Sequence, residues 1–151
     1  MDYNITSIVG IIGLFIGIVG IFIAIYQLSQ ANKQLQNAVL TNILTLDVEK
    51  NDRQETVDRI THEIKLLNVE NKLTPNMALA YEEHLNVAMK NWFSSVNKLC
   101  FYIKKGCIPE KEWKIEYRSL ITEIVESYES FFGPASKYIH IKDINDKLKR
   151  G

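Results

Sequence analysis

The sequence predicts an all-α protein, with a single N-terminal transmembrane helix followed by a small cytosolic helical bundle that is oligomeric. Three observations carry this expectation. From Ile8 to Tyr26 every residue is apolar or glycine, and no charged residue stands between Asp2 and Lys33. Beyond that run, apolar residues recur at steps of three and four, the spacing of one helix face. No segment sustains the two-residue alternation of a half-buried strand bounded by turn dipeptides. With 151 residues, there is room for one modest core at most, and a core that small gains stability from self-association.

The apolar run is long enough for a retained span, because about 20 apolar residues cross a bilayer core of about 30 Å as a helix. A cleaved signal peptide would need a positive start, a shorter core and a small-residue cleavage site. The start carries only Asp2, and "YQLSQANKQLQ" continues the helix. Lys33, Lys50 and Arg53 follow the span while none precedes it, so the positive-inside rule puts the N-terminus outside. The expected location is the inner (cytoplasmic) membrane, single-pass, with the C-terminal domain in the cytoplasm. Cys100 and Cys107 have no metal-like spacing and no further partners, which fits reduced thiols.

Domain organisation follows from these elements. Residues 1–28 are the transmembrane helix and short outer tail, 29–50 a helical extension, and 51–151 the cytosolic helical domain. The extension helix is expected to end near Lys50, with a second helix from Asp52 to Asn68 turning Val57, Ile60, Ile64 and Leu67 to one side. "NVENKLTPN" is a loop in which Thr74 caps a new helix and Pro75 takes its first position. That helix carries the stripe Met77, Tyr81, Leu85, Ala88, Trp92, Val96, Leu99 and Ile103, and Gly106 ends it. Pro109 opens the next, with Trp113, Tyr117, Leu120, Ile121, Ile124, Tyr128 and Phe131, and "FFGP" closes it. The tail "ASKYIHIKDINDKLKR" reads as a short amphipathic helix with a basic end.

Several function classes are excluded or disfavoured. Lys plus Arg equal Asp plus Glu at 18 each, so no net basic field argues for DNA. Phosphate-loop, dinucleotide and nucleophile-elbow motifs are absent, and His62–Glu63 has no second histidine four residues on. Enzymatic activity is not expected, and neither is a cofactor. His84, Cys100, Cys107 and His140 match no zinc spacing, so no metal is assigned.

Two features stand out. Gly10, Gly13, Gly17, Gly20, Ala24 and Gln27 lie at alternating steps of three and four, and Ala31, Gln34, Ala38, Thr41 and Thr45 continue the series. Small residues so spaced let helices approach closely in lipid, so this seam is read as an oligomerisation and gating face. The ordinary alternative is that glycine is simply common in membrane helices. The second feature is a set of cationic and aromatic residues: Lys98, Tyr102, Lys104, Lys105, Trp113, Arg118, Tyr138, His140 and Lys142. Such groups grip phosphates and stack on bases. They also occur as surface lysines lying over buried aromatics, or against anionic headgroups.

The span leading into "YQLSQANKQLQ", followed by "YEEHLNVAMKNWFSSVNKLCFYIKKGCIPEKEWKIEYRSLI", resembles small bacterial single-span proteins with a helical cytosolic domain. Among these, size and layout are most similar to the membrane-bound cyclic-oligoadenylate effectors of type III CRISPR systems. The resemblance implies a homotetramer in the lipid bilayer whose cytosolic domain binds cyclic tetra-adenylate. It further implies an antiviral defence role in which the transmembrane helices open a pore or disrupt the membrane. The resemblance is architectural, so it carries no ligand-contacting residue over. A membrane-tethered helical adaptor binding a partner protein is the alternative.

Overall fold

The structure is a computed structural model; it describes the backbone of residues 5–150 and the side chains of residues 16–150. The chain forms α1 (Ile5–Val69), α2 (Pro75–Lys104), α3 (Glu110–Ser127), a 3₁₀ turn (Glu129–Phe131) and α4 (Ile139–Arg150), with no strand among the described residues. Among those residues no helix is long and apolar enough to cross a membrane. The expected span therefore has no structural support. Its first part, with Gly10 and Gly13 of the seam, lies outside the residues whose side chains are described.

The chain divides into two compact units between Thr41 and Asn42. In the first unit, α1 is a lone helix whose described side chains are exposed up to Ala38. A Cβ added at Gly17 or Gly20 would meet nothing within 4 Å. At Gly17 and Gly20, then, no other part of the chain covers the small-residue seam.

The second unit is the bundle, and it takes in residues 42–50, which the sequence analysis assigned to an extension. The expected break near Lys50 does not occur, because two forces carry α1 through it. Ile43, Lys50, Val57 and Ile60 are buried at steps that keep one helix face inward. The charged run between them pairs along the helix, Asp47 with Lys50 at 2.9 Å and Glu49 with Arg53. α1 finally stops at Asn71, which takes a left-handed φ of 54°. Asn71 N–H then donates to the Asn68 carbonyl and Lys72 N–H to that of Leu67, at 3.1 and 2.9 Å.

The other boundaries follow local chemistry. Thr74 Oγ1 accepts from Met77 N–H at 3.3 Å, and Pro75 opens α2. Gly106, at φ 73°, closes it with the same pair of bonds as Asn71, Gly106 N–H to Ile103 and Cys107 N–H to Tyr102. α2 is buried only from Ala88 onward, and Met77 at its start stays exposed.

Phe93, fully buried, is the centre of the core although it lies off the expected stripe. Its ring sits 5.2–5.7 Å from those of Phe131, Trp92, Tyr128, Phe132 and Tyr138. Cys100, seven residues further along α2, is also buried, and burial pushes its thiol up to about 12. Cys107 is exposed. In native protein at neutral pH, iodoacetamide is expected to modify Cys107 alone, with Cys100 reacting only after unfolding. Mass spectrometry of labelled peptides checks this; rapid native labelling of Cys100 would contradict its burial.

A polar knot joins α1 to α3. The Tyr117 phenol donates to Asp47 Oδ1 at 3.2 Å, and Lys50 Nζ lies 2.9 Å from the same oxygen and 5.1 Å from the Tyr117 ring centroid. Burial, followed by the Asp47 charge, pushes the Tyr117 phenol up to about 12. Unfolded tyrosine ionises near 10. The folded state thus favours the neutral phenol, and this stabilisation is complete below about pH 10 and lost as pH rises towards about 12. Urea midpoints measured across that range should fall less steeply for Tyr117→Phe than for the parent. Identical slopes would mean that the phenol is not held neutral. Burial also raises the Tyr128 and Tyr138 phenols, which add to the alkaline sensitivity in the same direction.

Candidate functional site

A cleft of about 510 Å³ opens where α1, α2 and α4 meet within the bundle, lined by Asn42, Thr45, Leu46, Asn97, Lys98, Phe101, Tyr102 and His140. Its geometry starts from helical spacing. Asn97, Lys98, Phe101 and Tyr102 lie at steps of one, three and one on α2 and so share one face. Their neighbours Val96, Leu99 and Cys100 point into the core and fix the helix rotation.

α4 brings His140 to this face by a device that joins distant parts of the chain. Asn97 Oδ1 accepts from the backbone N–H of His140 at 3.0 Å and of Ile141 at 3.3 Å. These are among the N–H groups that a helix start leaves without intrahelical partners. Asn97 therefore caps α4 from α2, and the same residue lines the cleft. Ile141, Ile144 and Leu148 then bury the inner side of α4.

The cleft combines aromatic faces with a cation. The rings of Phe101 and His140 lie 5.3 Å apart at 57°, and Phe101 and Tyr102 meet edge to face at 5.7 Å. Lys105 Nζ sits 5.6 Å from the Phe101 centroid on the next turn. Lys98 is exposed, and among the described residues it makes no ion pair. His140 Nδ1 is buried with no hydrogen-bond partner. A buried imidazole nitrogen left so is a polar group with unused bonding capacity.

Of the nine cationic and aromatic residues singled out from sequence, Lys98, Tyr102 and His140 line the cleft. Lys105 borders it through Phe101. Lys104 is drawn off to Asp143 at 2.6 Å, and that hydrogen bond holds the Asp143 carboxyl below its usual range. Trp113 is 1% exposed in the core with Lys147 over its ring, so it offers no free face for stacking. Tyr138 is buried and its hydroxyl donates to the Lys90 carbonyl at 3.3 Å. Lys142 donates to the Gly133 carbonyl at 3.0 Å, closing the turn before α4. Arg118 lines a different groove, on α3, among Lys114, Glu123 and Glu126. The cluster in sequence is thus not one cluster in space.

Sequence reasoning missed Asn97, Phe101 and the α1 residues Asn42 and Leu46, and named Thr45 only on the small-residue seam. Asn97 did leave a signal. It is a poor helix former in the run 96–105, whose other residues are all apolar, aromatic or lysine. The α1 contribution left none, since it depends on which face of a long helix meets α2.

His84, Cys100, Cys107 and His140 do not converge. His84 lies with Glu63 and Tyr81 in another groove. Among the described residues no group of three or more His, Cys, Asp or Glu side chains could hold a metal ion. The fold and the cleft together define a helical-bundle protein with an open aromatic and cationic groove. No protein-family model, no curated protein and no solved structure matches the chain.

Proposed function

We propose that the chain is a membrane-anchored sensor whose bundle, residues 42–150, binds a phosphate-bearing aromatic ligand in the α1–α2–α4 cleft. The single observation behind this reading is the convergence of Lys98 with the Phe101, Tyr102 and His140 rings around about 510 Å³. That volume falls in the range of small-molecule sites, about 300–1,000 Å³. A lysine supplies charge for a phosphate and aromatic rings supply stacking for a base. Asn97, Asn42 and Thr45 add hydrogen-bonding groups of the kind that fix orientation.

The favoured ligand is a cyclic oligoadenylate, cyclic tetra-adenylate first. Four copies, each offering one cleft, match the four-fold symmetry of such a ring. The apolar run 8–26 serves as the anchor. Because Asn42, Thr45 and Leu46 belong to α1, a bound ligand bears on that helix, and it shifts a closed-to-open equilibrium only by its differential affinity for the two states. Pore opening or membrane disruption, and from it antiviral defence, is the proposed output.

The test uses the full chain in liposomes. Cyclic tetra-adenylate should raise the melting temperature and release a trapped dye, whereas linear oligoadenylate of equal length should do neither. Lys98→Glu should abolish both effects, while Arg118→Glu, on the α3 groove, should leave them intact. No shift and no leakage with any ring size would sink the reading.

The adaptor alternative has one observation in its favour. Ile115 on α3 is 76% exposed between two shallow grooves, a placement suited to a protein partner. It calls for partner capture lost with Ile115→Asp and indifferent to Lys98→Glu.

A further inference from the structure

The lone stretch of α1 carries a second pattern, beside the small-residue seam. Ile21, Leu28 and Leu35 recur every seven residues, and Ala24, Ala31 and Ala38 recur every seven residues three positions later. This is a heptad with a large aliphatic at one core position and alanine at the other, and Gly17 extends the small column by one heptad. The small column belongs to both patterns. Gln27 and Gln34 of the first pattern fall on one flank of this one.

The structure leaves the whole face uncovered. Ile21, Leu28 and Leu35 are 62–64% exposed, and the three alanines are exposed with them. Charge is distributed to match. Between Gly17 and Ala38 Lys33 is the one charged residue, and it sits at the heptad position farthest from the Leu/Ala face. The flanking positions hold Gln27, Gln34 and Asn32, so two copies can approach with no like charges opposed.

We infer that this face is covered by the same face of a second copy, in a parallel, in-register pair of α1 helices. A strip one helix wide and about 33 Å long fits another helix better than the broad patch of a globular partner. The chain itself supplies a helix with the complementary knobs and holes. Alanine opposite alanine lets the two axes come closer than a leucine-only seam allows. Orientation follows from polarity along the helix. Residues 17–26 are apolar and residues 27–38 rich in amides, so an antiparallel pair would oppose unlike halves. The pairing does not depend on any ligand in the cleft. It works through close packing if the helix lies in lipid and through burial of Leu28 and Leu35 where it lies in water.

The experiment is disulfide mapping of the full chain in native membranes or liposomes. Cys107 is first changed to Ser, and Cys100 is left in place because it is buried. Single cysteines are then introduced as Ala31→Cys, Ala38→Cys and Lys33→Cys. On mild oxidation, cross-linked dimers should form at both 31 and 38 at least roughly five-fold faster than at 33. Equal rates at all three positions, no dimer at 31 and 38, or a dimer at just one of them would each overturn the parallel pairing. As a second readout, Leu28→Asn with Leu35→Asn should abolish dimerisation in detergent. The cross-linking is read on the chain without ligand and the cyclic tetra-adenylate shift on the parent chain, so the failure of either reading leaves the other standing.

Discussion

Replacing Phe93 with alanine is expected to destabilise the bundle by about 3–5 kcal/mol. The residue is fully buried, and five other aromatic rings lie within 5.7 Å of its centroid. Those five come from α2, the end of α3, the 3₁₀ turn and the segment before α4, so one side chain joins four stretches of the chain. Alanine removes the ring's transfer energy and leaves a cavity whose walls are rigid rings, which collapse poorly. Pairs of rings in tilted or edge-to-face arrangement add about 0.5–1.5 kcal/mol beyond burial, and several are lost together. Phe93→Leu, which refills most of the space, should cost much less. Urea unfolding followed by circular dichroism measures both. A Phe93→Ala loss no larger than that of the partly exposed Phe101→Ala would show that the aromatic cluster is not the core.

Asp47→Ala is the second large effect, at about 2–4 kcal/mol. Lys50 keeps only 9% of its side chain exposed, and Asp47 is its sole ion-pair partner among the described residues. Removing the carboxylate strands a cation in the α1–α3 interface and takes the acceptor from the Tyr117 phenol. Asp47 itself is 32% exposed, which places the expected cost below that of a fully buried pair. The discriminating measurement is rescue. Asp47→Ala with Lys50→Met replaces the stranded charge by apolar packing and should recover most of the loss. If the double variant is as unstable as the single one, burial of the Lys50 charge is not the cause. Tyr117 should also ionise at lower pH in Asp47→Ala, while the share due to burial remains.

The two effects differ in how far they could be anticipated. The sequence holds Phe93 in plain view, next to Trp92, but the stripe through Trp92 and Val96 turned it to the flank. α2 is in fact buried on more than one side at this level, because α4 and the 3₁₀ turn close over it. Lys50 read as the end of a helix, whereas α1 runs through it and buries its side chain. Burial became tolerable only because Asp47 stands one turn earlier on the same helix and Tyr117 arrives from 70 residues away.

The candidate site divides along the same line. Lys98, Tyr102 and His140 were named from residue type, and the fold brings those three to one cleft. Lys104, Trp113, Tyr138 and Lys142 have the same chemistry, yet Asp143, the core, Lys90 and Gly133 occupy them. Residue type says what a side chain can bond to; only its neighbours say whether that capacity is already used.

What the sequence determined by itself was everything set by contacts within a few residues. The helical class follows from the three-four spacing, the start of α2 from Thr74 and Pro75, and its end from Gly106. The heptads of α1 belong here too, since they need nothing but the period of the helix. The tertiary structure alone decided the burial of Lys50, the capping of α4 by Asn97, and which cationic residues share a cleft. Those outcomes turn on pairs 38 to 70 residues apart, such as Arg53 with the Asn91 carbonyl, Asn97 with His140 and Asp47 with Tyr117. No local pattern encodes such pairs. They form because burying Phe93 and its neighbours forces the helices into one packing, and the polar groups then bond to whatever that packing sets beside them.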